Sequence, residues 1–421
     1  MRNKTYATLQ NLAQPCCVVL GAGSLGSLSA IRSLGIKRIP AIVIDNNKCS
    51  IGIRSKYCSS AEVVDDAQTL LLLEEIGDAS LHKNVLFCTY DIYLLLVDRH
   101  RETLKKYFHL FLPEKYSLQK IMDKKNMLKL AKEAGLDTPL TFFSGEHSLK
   151  EITGKVGYPV IVKPSYTQGC DAKVEVVNNE QDLCQTVRKD RFSKGYLVQE
   201  IIEGPDDNIW MCLGYCDRNA VPVALFSAHK YRQIPRSFGS TATGVSQQNE
   251  EVVEQAITFV KHIGYHGCFD FEVKQCRDEK VYKFIEINYR VCDFNNMAID
   301  SGIDLPCIAY CDALKLPYER NIKQKDGVVW ISIIDDFITC CKYYIQDNKF
   351  ILLDWLGKVL RSDSYAVFRV FDIKPFIFKI VSHVIHIVRR ITLKNSRFSL
   401  ARRAKEEESK RKFGVYVPKG S

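Results

Sequence analysis

A chain of 421 residues is longer than one compact core usually supports, so two or three domains are expected. Its 46% hydrophobic and 26% charged residues are the proportions of an ordinary soluble globular protein. The net charge of +10 sits at one end: from Lys374 onward there are 13 Lys or Arg against three Glu, a segment charge of +10. The rest is close to neutral, so no nucleic-acid-binding domain is indicated.

Met1 to Ala13 lacks the apolar run of a signal peptide, and no stretch reaches the roughly 20 apolar residues of a membrane span. The 16 cysteines include no C-x-x-C pair. They fit reduced thiols in a cytoplasmic protein better than a disulfide framework or a structural zinc site.

In chain order, Cys16 to Leu20 reads as a strand running into Gly21-Ala-Gly-Ser-Leu-Gly26. Ile42 to Asp45 is the next strand and ends in an acid. This is a G-x-G-x-x-G turn of the dinucleotide-binding kind, although tight strand-to-helix crossovers select small residues anyway. A helix from Ala67 to Glu75 and a strand from Asn84 to Thr89 continue an α/β pattern, with Asp91 just beyond and a domain end near Tyr116. Met122 to Gly135 reads as an amphipathic helix closed by its glycine. The run Gly157 to Pro164 is a buried-type strand ending in Lys163, and a lysine emerging from such a run needs a partner. The loop Ser165 to Cys170 is made largely of small residues. The strand Tyr196 to Ile202 breaks at Glu203-Gly204-Pro205-Asp206-Asp207, and Val221 to Ser227 leads into His229-Lys230-Tyr231-Arg232.

Two strands follow, Gly267 to Val273 and Val281 to Arg290. Period-2 alternation sends Glu286, Asn288 and Arg290 to one face. If the strands pair as a hairpin, Glu272 joins them, giving hard oxygen donors of the kind Mg²⁺ prefers beside a guanidinium suited to a phosphoryl group. A solvated hairpin with its polar face in water is the competing reading.

This ordered set resembles the ATP-grasp superfamily, in its carboxylate–amine ligase-like branch, over roughly Val18 to Leu316. The signals are Asp123-Lys124, Val160 to Pro164, Gln199 to Gly204, Glu272 and Glu286-Ile-Asn-Tyr-Arg290. The resemblance implies an α/β and α+β fold with three parts. Residues 1–116 would be a Rossmann-like pre-domain, 117–316 the ATP-grasp domain, and 317–421 a mostly helical extension. It also implies roles by position. Lys124 and Lys163 would contact the phosphates of ATP, under a mobile loop that includes Ser165 and Gly169. Gln199, Glu200 and Ile202 would line the adenine site, and Asp206, or its neighbour Asp207, would meet the ribose. Glu272, Glu286 and Asn288 would hold Mg²⁺ or Mn²⁺, with Asp270 competing for the first position. Arg290, Lys230 and Arg232 would act at the transferred phosphoryl group or an anionic substrate, with an ion-paired surface as the alternative for the last two.

The implied reaction activates a carboxylate as an acyl phosphate and transfers it to an amine, on an amino acid or an envelope or polysaccharide precursor. The rivals are an NAD-dependent oxidoreductase built on the glycine turn and an inactive nucleotide-binding scaffold. Beyond Leu316, Gly327 to Ile334 reads as a strand and Phe350 to Leu360 as a helix. Over Pro375 to Arg390, Ile377, Ile380, Val381, Val384, Val388 and Ile391 share one helical face, opposite Lys379, His383, His386, Arg389 and Arg390. Such a helix either packs its apolar face on the enzyme with its basic face in water, or lies on an anionic membrane at the inner face. An oligomer is compatible with all of these readings.

Overall fold

The apolar runs near the amino terminus become fully buried strands: Cys17–Leu20, Ala41–Asp45 and Asn84–Cys88 have no exposed residue. A strand covered on both faces needs no alternation, as expected of a parallel sheet. In the computed structural model, which describes residues 2–10, 12–165, 174–277, 281–320, 322–345, 352–386 and 388–389, they form a five-stranded parallel sheet. Its order is Cys58–Val63, Ala41–Asp45, Cys17–Leu20, Asn84–Cys88, Phe108–His109.

The helix expected from Met122 to Gly135 is two helices, Leu118–Met122 and Lys124–Glu133. Asp123 separates them because its backbone is extended and its carboxylate accepts the Asn126 N–H at 3.0 Å, an N-cap. Capping competes with helix continuation, and here it places Lys124 at a helix start.

A four-stranded antiparallel sheet follows in the order Thr141–Phe143, Tyr196–Glu200, Val160–Pro164, Glu175–Val177. It has its own small core, including Phe142, Ile152, Val162 and Val198. The third sheet has seven strands in the order Tyr282–Asn288, Gly267–Gln275, Ile209–Cys216, Pro222–Ile234, Ser240–Ser246, Val329–Ile331, Ser364–Tyr365. Its last two strands come from beyond residue 316, so part of the carboxyl-terminal section is built into this sheet.

The five-stranded parallel sheet and the seven-stranded sheet share their interior. Val18, Ile42 and Leu86 belong to the same apolar cluster as Phe271, Phe284 and Ile287. Val19, Val43 and Phe87 on the other face cluster with Met211, Phe226 and Trp330. Each buried phenylalanine contributes roughly 1.5–3 kcal/mol, so this joint holds the two units in one relative position.

The carboxyl-terminal section is further tied down by Asp372. It accepts Arg32 Nε at 2.8 Å and the Ser55 hydroxyl at 2.7 Å, and Arg32 also donates to the Val367 carbonyl. Residues 374–386 then form a helix. Its packing departs from the expected basic face in water at two positions, while His386 and Arg389 are exposed as expected. Ile377, Ile380, Val381, Val384 and Ile385 are 39–53% exposed, while Lys379 and His383 turn inward. Arg390, Ile391 and the charged stretch Ala401 to Lys412 lie outside the described residues. Among the described residues no helix is long and apolar enough to cross a membrane, and no two cysteines are joined in a disulfide.

Candidate active site

The hairpin inferred from alternation is present, and its register brings the polar residues together. Gly267–Gln275 and Tyr282–Asn288 pair antiparallel with Asp270 opposite Asn288 and Glu272 opposite Glu286. The register then shifts, so that Val273 faces Phe284 and Ile285 is the extra residue of a β-bulge. The bulge lets Phe284 and Ile287 stay in the core while Ile285 and Glu286 both reach the cavity. That cavity, of about 1070 Å³, runs between the four-stranded and seven-stranded sheets to the glycine turn after Leu20.

On the opposite wall stand the two lysines expected at the phosphates. Lys163 donates to Gln199 Oε1 at 3.2 Å, and Lys124 donates to the Pro164 carbonyl at 3.2 Å. Burial, and then the charge of Lys163, depress the Lys124 ammonium to about 8; Glu286 opposes this. Lys163 is likewise lowered by burial and supported by Glu286. Among the described residues Glu286 is the carboxylate whose charge supports both. Two poorly compensated ammonium groups facing a cavity suit a polyanion.

Lys230 is fully engaged. Its ammonium donates to Glu272 Oε2 at 2.7 Å, with both residues buried. Burial pulls its pKa down, but Glu272, with Asp270 and Glu286 behind it, raises it overall. Asp270 is pushed up to about 8 by burial and then by Glu272, and its Oδ1 is buried with no hydrogen-bond partner. Asn288 donates to Asp270 Oδ2 at 3.2 Å and accepts from Arg290 Nη2 at 3.2 Å. Arg290 in turn donates through Nε to Asp91 Oδ1 at 2.8 Å.

The donor set fits a divalent cation in its chemistry. Glu272, Glu286 and Asn288 are hard oxygen donors, burial and Glu286 raise the Glu272 carboxyl, and Asp270 Oδ1 lacks a partner. As the side chains stand, no three His, Cys, Asp or Glu among the described residues gather round one point. Glu272 is turned to Lys230 instead.

Gln199, Glu200 and Ile202 line the cavity as expected, with Glu200 held by Lys283 at 2.5 Å. Asp206 and Ser165 are not among the lining residues; Asp206 sits in a short 3₁₀ turn near Lys274. Gly169 lies outside the described residues. Arg232 also departs from its expected place. It makes a bidentate ion pair with Asp336, at 2.6 and 2.8 Å, and does not line the cavity. A β-bulge next to Lys230 breaks the alternation that would have put the two on one face.

The glycine turn does not offer a pyrophosphate site. The N–H groups of Leu25 and Gly26, where an anion would dock on the helix, donate to Asp293 Oδ1 at 3.0 and 3.3 Å. Asp45 accepts the Ala22 and Asn47 N–H groups. Gly21, at φ +86°, is covered by the Tyr90 ring, which a Cβ would meet at 2.3 Å. The turn is thus a docking joint for the loop after Arg290, which counts against the rival dinucleotide reading. Sequence reasoning also missed Asp293, Phe378, Lys379, Ser382 and His383, which line the cavity without any local motif. Asp91, placed only at a strand end, proves to hold Arg290.

Residues 123–309 match the family described as carbamoyl-phosphate synthase L chain, ATP binding domain. With the four-stranded and seven-stranded sheets facing each other across one cavity, the chain has an ATP-grasp fold. Among curated proteins it is similar to a D-aspartate ligase of Enterococcus faecium (strain Aus0004), 24% identical over 243 residues, which is 53% of this chain and 57% of that relative. The chain therefore spans little more than half of that relative's length. Among solved structures it is similar to an ADP complex of PurK, N5-carboxyaminoimidazole ribonucleotide synthetase, with a TM-score of 0.59, 16% identity, and coverage of 76% of this chain and 81% of that one. A second likeness is to the biotin carboxylase domain of Hydrogenobacter thermophilus 2-oxoglutarate carboxylase, a dimer with MgADP and bicarbonate. Its TM-score is 0.56 at 18% identity, covering 74% of this chain and 73% of that one. At these identities the structural likeness is one of fold.

Proposed function

We propose that the protein is an ATP-dependent ligase that activates a carboxylate as an acyl phosphate and joins it to an amine. The observation that carries this reading is the placement of Lys124 and Lys163 across one cavity from the opposed Glu272 and Glu286, with Arg290 beyond. The similarity to a D-aspartate ligase supports an amino acid as one reactant.

A carboxylate is a poor electrophile, so an amine displaces its oxygen only after phosphorylation supplies a leaving group. Lys124 and Lys163 bind and orient the triphosphate, and Gln199, Glu200 and Ile202 border the base. Mg²⁺ or Mn²⁺, when held by Glu272, Glu286 and Asn288, supplies charge neutralisation at the phosphoryl group. Arg290, fixed by Asp91 and Asn288, presents its remaining donors to the acyl phosphate. The walls from the pre-domain and the carboxyl-terminal helix keep water from the activated group. The family resemblance, and not the cavity lining, is what supports assigning Ser165 and Gly169 to the loop over the triphosphate and Asp206 to the ribose side. Residues 1–116, 117–316 and 317–421 are assigned as pre-domain, ATP-grasp domain and extension.

An anionic membrane surface is the partner proposed for the helix over residues 374–386, supported by its outward aliphatic face and by the basic composition after Lys374. Flotation with anionic liposomes is expected and should be lost in Val381→Asp/Val384→Asp. Flotation that survives both substitutions excludes this surface.

The ligase reading is tested by ADP release with Mg²⁺ and pooled carboxylic acids and amines. Release should require both an acid and an amine and fall at least 100-fold in Glu286→Ala. Substrate-dependent release unchanged in that variant would remove the metal assignment, and none at all in the wild type would favour an inactive scaffold.

A further inference from the structure

The charges that line the cavity are balanced in two different ways. Lys124 and Lys163 line the space with Glu286 as their supporting carboxylate and no ion pair to it among the described residues. Elsewhere on the lining charges come in pairs of opposite sign, among them Arg290 with Asp91 at 2.8 Å and Lys379 with Asp335 at 3.1 Å. All four residues line the cavity. Unbalanced cations suit a polyanion, whereas paired opposite charges suit a ligand that itself carries both signs, since each half of the pair can exchange partners without leaving a charge uncompensated.

The second pair is supplied from outside the matched ATP-grasp segment, by the helices Ile333–Thr339 and 374–386. The latter helix packs unusually. Phe378, Lys379, Ser382 and His383, at i, i+1, i+4 and i+5, face the cavity, while its aliphatic residues face outward. A helix of this sequence would ordinarily bury its aliphatic stripe. Its orientation is instead fixed by anchors at either side: Asp372 on Arg32, both buried, and Lys379 on Asp335. His383 Nδ1 lies 3.0 Å from the Lys379 carbonyl, within the helix.

We propose that the Lys379–Asp335 pair is a specificity-determining contact for the amine substrate, and that it selects an amine bearing a carboxylate beside it. On binding, the substrate carboxylate takes Lys379 and its ammonium faces Asp335, with Ser382 and His383 as neighbouring hydrogen-bond groups. The carboxyl-terminal helix is then the wall that chooses the acceptor, leaving nucleotide binding to the ATP-grasp segment. This inference rests on the ligase reading given above.

The test measures ADP release from the full chain with a carboxylic acid pool and two matched amine sets: α-amino acids, and the same amines lacking the carboxylate. The wild type should prefer the amino acids by at least tenfold in kcat/KM. Lys379→Met and Asp335→Asn should raise the acceptor KM at least tenfold with the ATP KM unchanged, and Lys379→Arg should retain most of the preference. The exchanged pair Lys379→Asp/Asp335→Lys separates recognition from anchoring. A purely structural ion pair is restored by the exchange, and recovery of the wild-type acceptor KM overturns the proposal. A KM that stays raised while thermal stability recovers supports it. Equal use of both amine sets by the wild type overturns the inference and leaves the ligase reading standing. Absence of ADP release with every acid and amine, by contrast, removes the ligase reading and this inference with it.

Discussion

Lys230 reaches across the Ile209–Cys216 strand to place its ammonium 2.7 Å from Glu272, a residue set directly opposite Glu286. The lysine is 3% exposed and Glu272 7% exposed. Removing one partner of such a pair strands the other charge. Lys230→Met should therefore cost about 3–5 kcal/mol of stability by the usual penalty for breaking a buried ion pair. ADP release from the folded fraction should fall at least 100-fold. Urea titration and turnover assays check both; a variant as stable as the wild type would mean the pair is not intact in solution.

Lys124 carries a pH signature. Burial and Lys163 depress its ammonium to about 8, so it is a cation below that pH and neutral above it. A polyphosphate favours the cation, so the KM for ATP should rise as pH increases through about 8. Arginine stays charged throughout, and Lys124→Arg should flatten the profile. Wild-type and variant profiles of the same shape would remove Lys124 from nucleotide binding.

Arg232 is expected to act through structure. Asp336, with no exposed surface, accepts both its guanidinium bonds, the Thr243 hydroxyl at 2.6 Å and the Trp355 indole N–H at 2.9 Å. Arg232→Met should lower stability by about 3–5 kcal/mol, as for other broken buried pairs. The activity of the molecules that remain folded should stay within about threefold of the wild type, because the residue does not line the cavity. A large fall in kcat with an unchanged denaturation midpoint would return it to the catalytic group.

Gly26 tests the glycine turn as a joint. A Cβ there would stand 2.5 Å from the Val291 carbonyl oxygen and 2.8 Å from that of Cys292, both backbone atoms. Gly26→Ala must push away the loop that carries Arg290 and Asp293, at a cost of about 1–3 kcal/mol typical of overpacking. Thermal stability and ADP release should fall together. NADH fluorescence titration should show no binding to either form; saturable binding abolished by the substitution would restore the dinucleotide reading.

Much of the site was legible because its signals are local. Alternation alone aligned Glu286 with Asn288, and a lysine closing an apolar run marked Lys163. Where alternation failed, a bulge was responsible: the shift beside Lys230 sends Arg232 to Asp336. The helix over 374–386 was recognised by its period, but period does not say which face turns inward. Its orientation depends on Arg32 and Asp335, which lie far away in the chain.

The sequence by itself determined the buried parallel strands, the hairpin and the order of nucleotide and acid signals, because periodicity and turn chemistry act over a few residues. Tertiary structure alone decided which charges are satisfied. Lys230 meets Glu272 over 42 residues, Arg232 meets Asp336 over 104, and Arg290 meets Asp91 over 199. Desolvation makes the first two partnerships obligatory because those groups are buried, whereas Arg290 meets Asp91 with the carboxylate half exposed; no local pattern names any of the three partners.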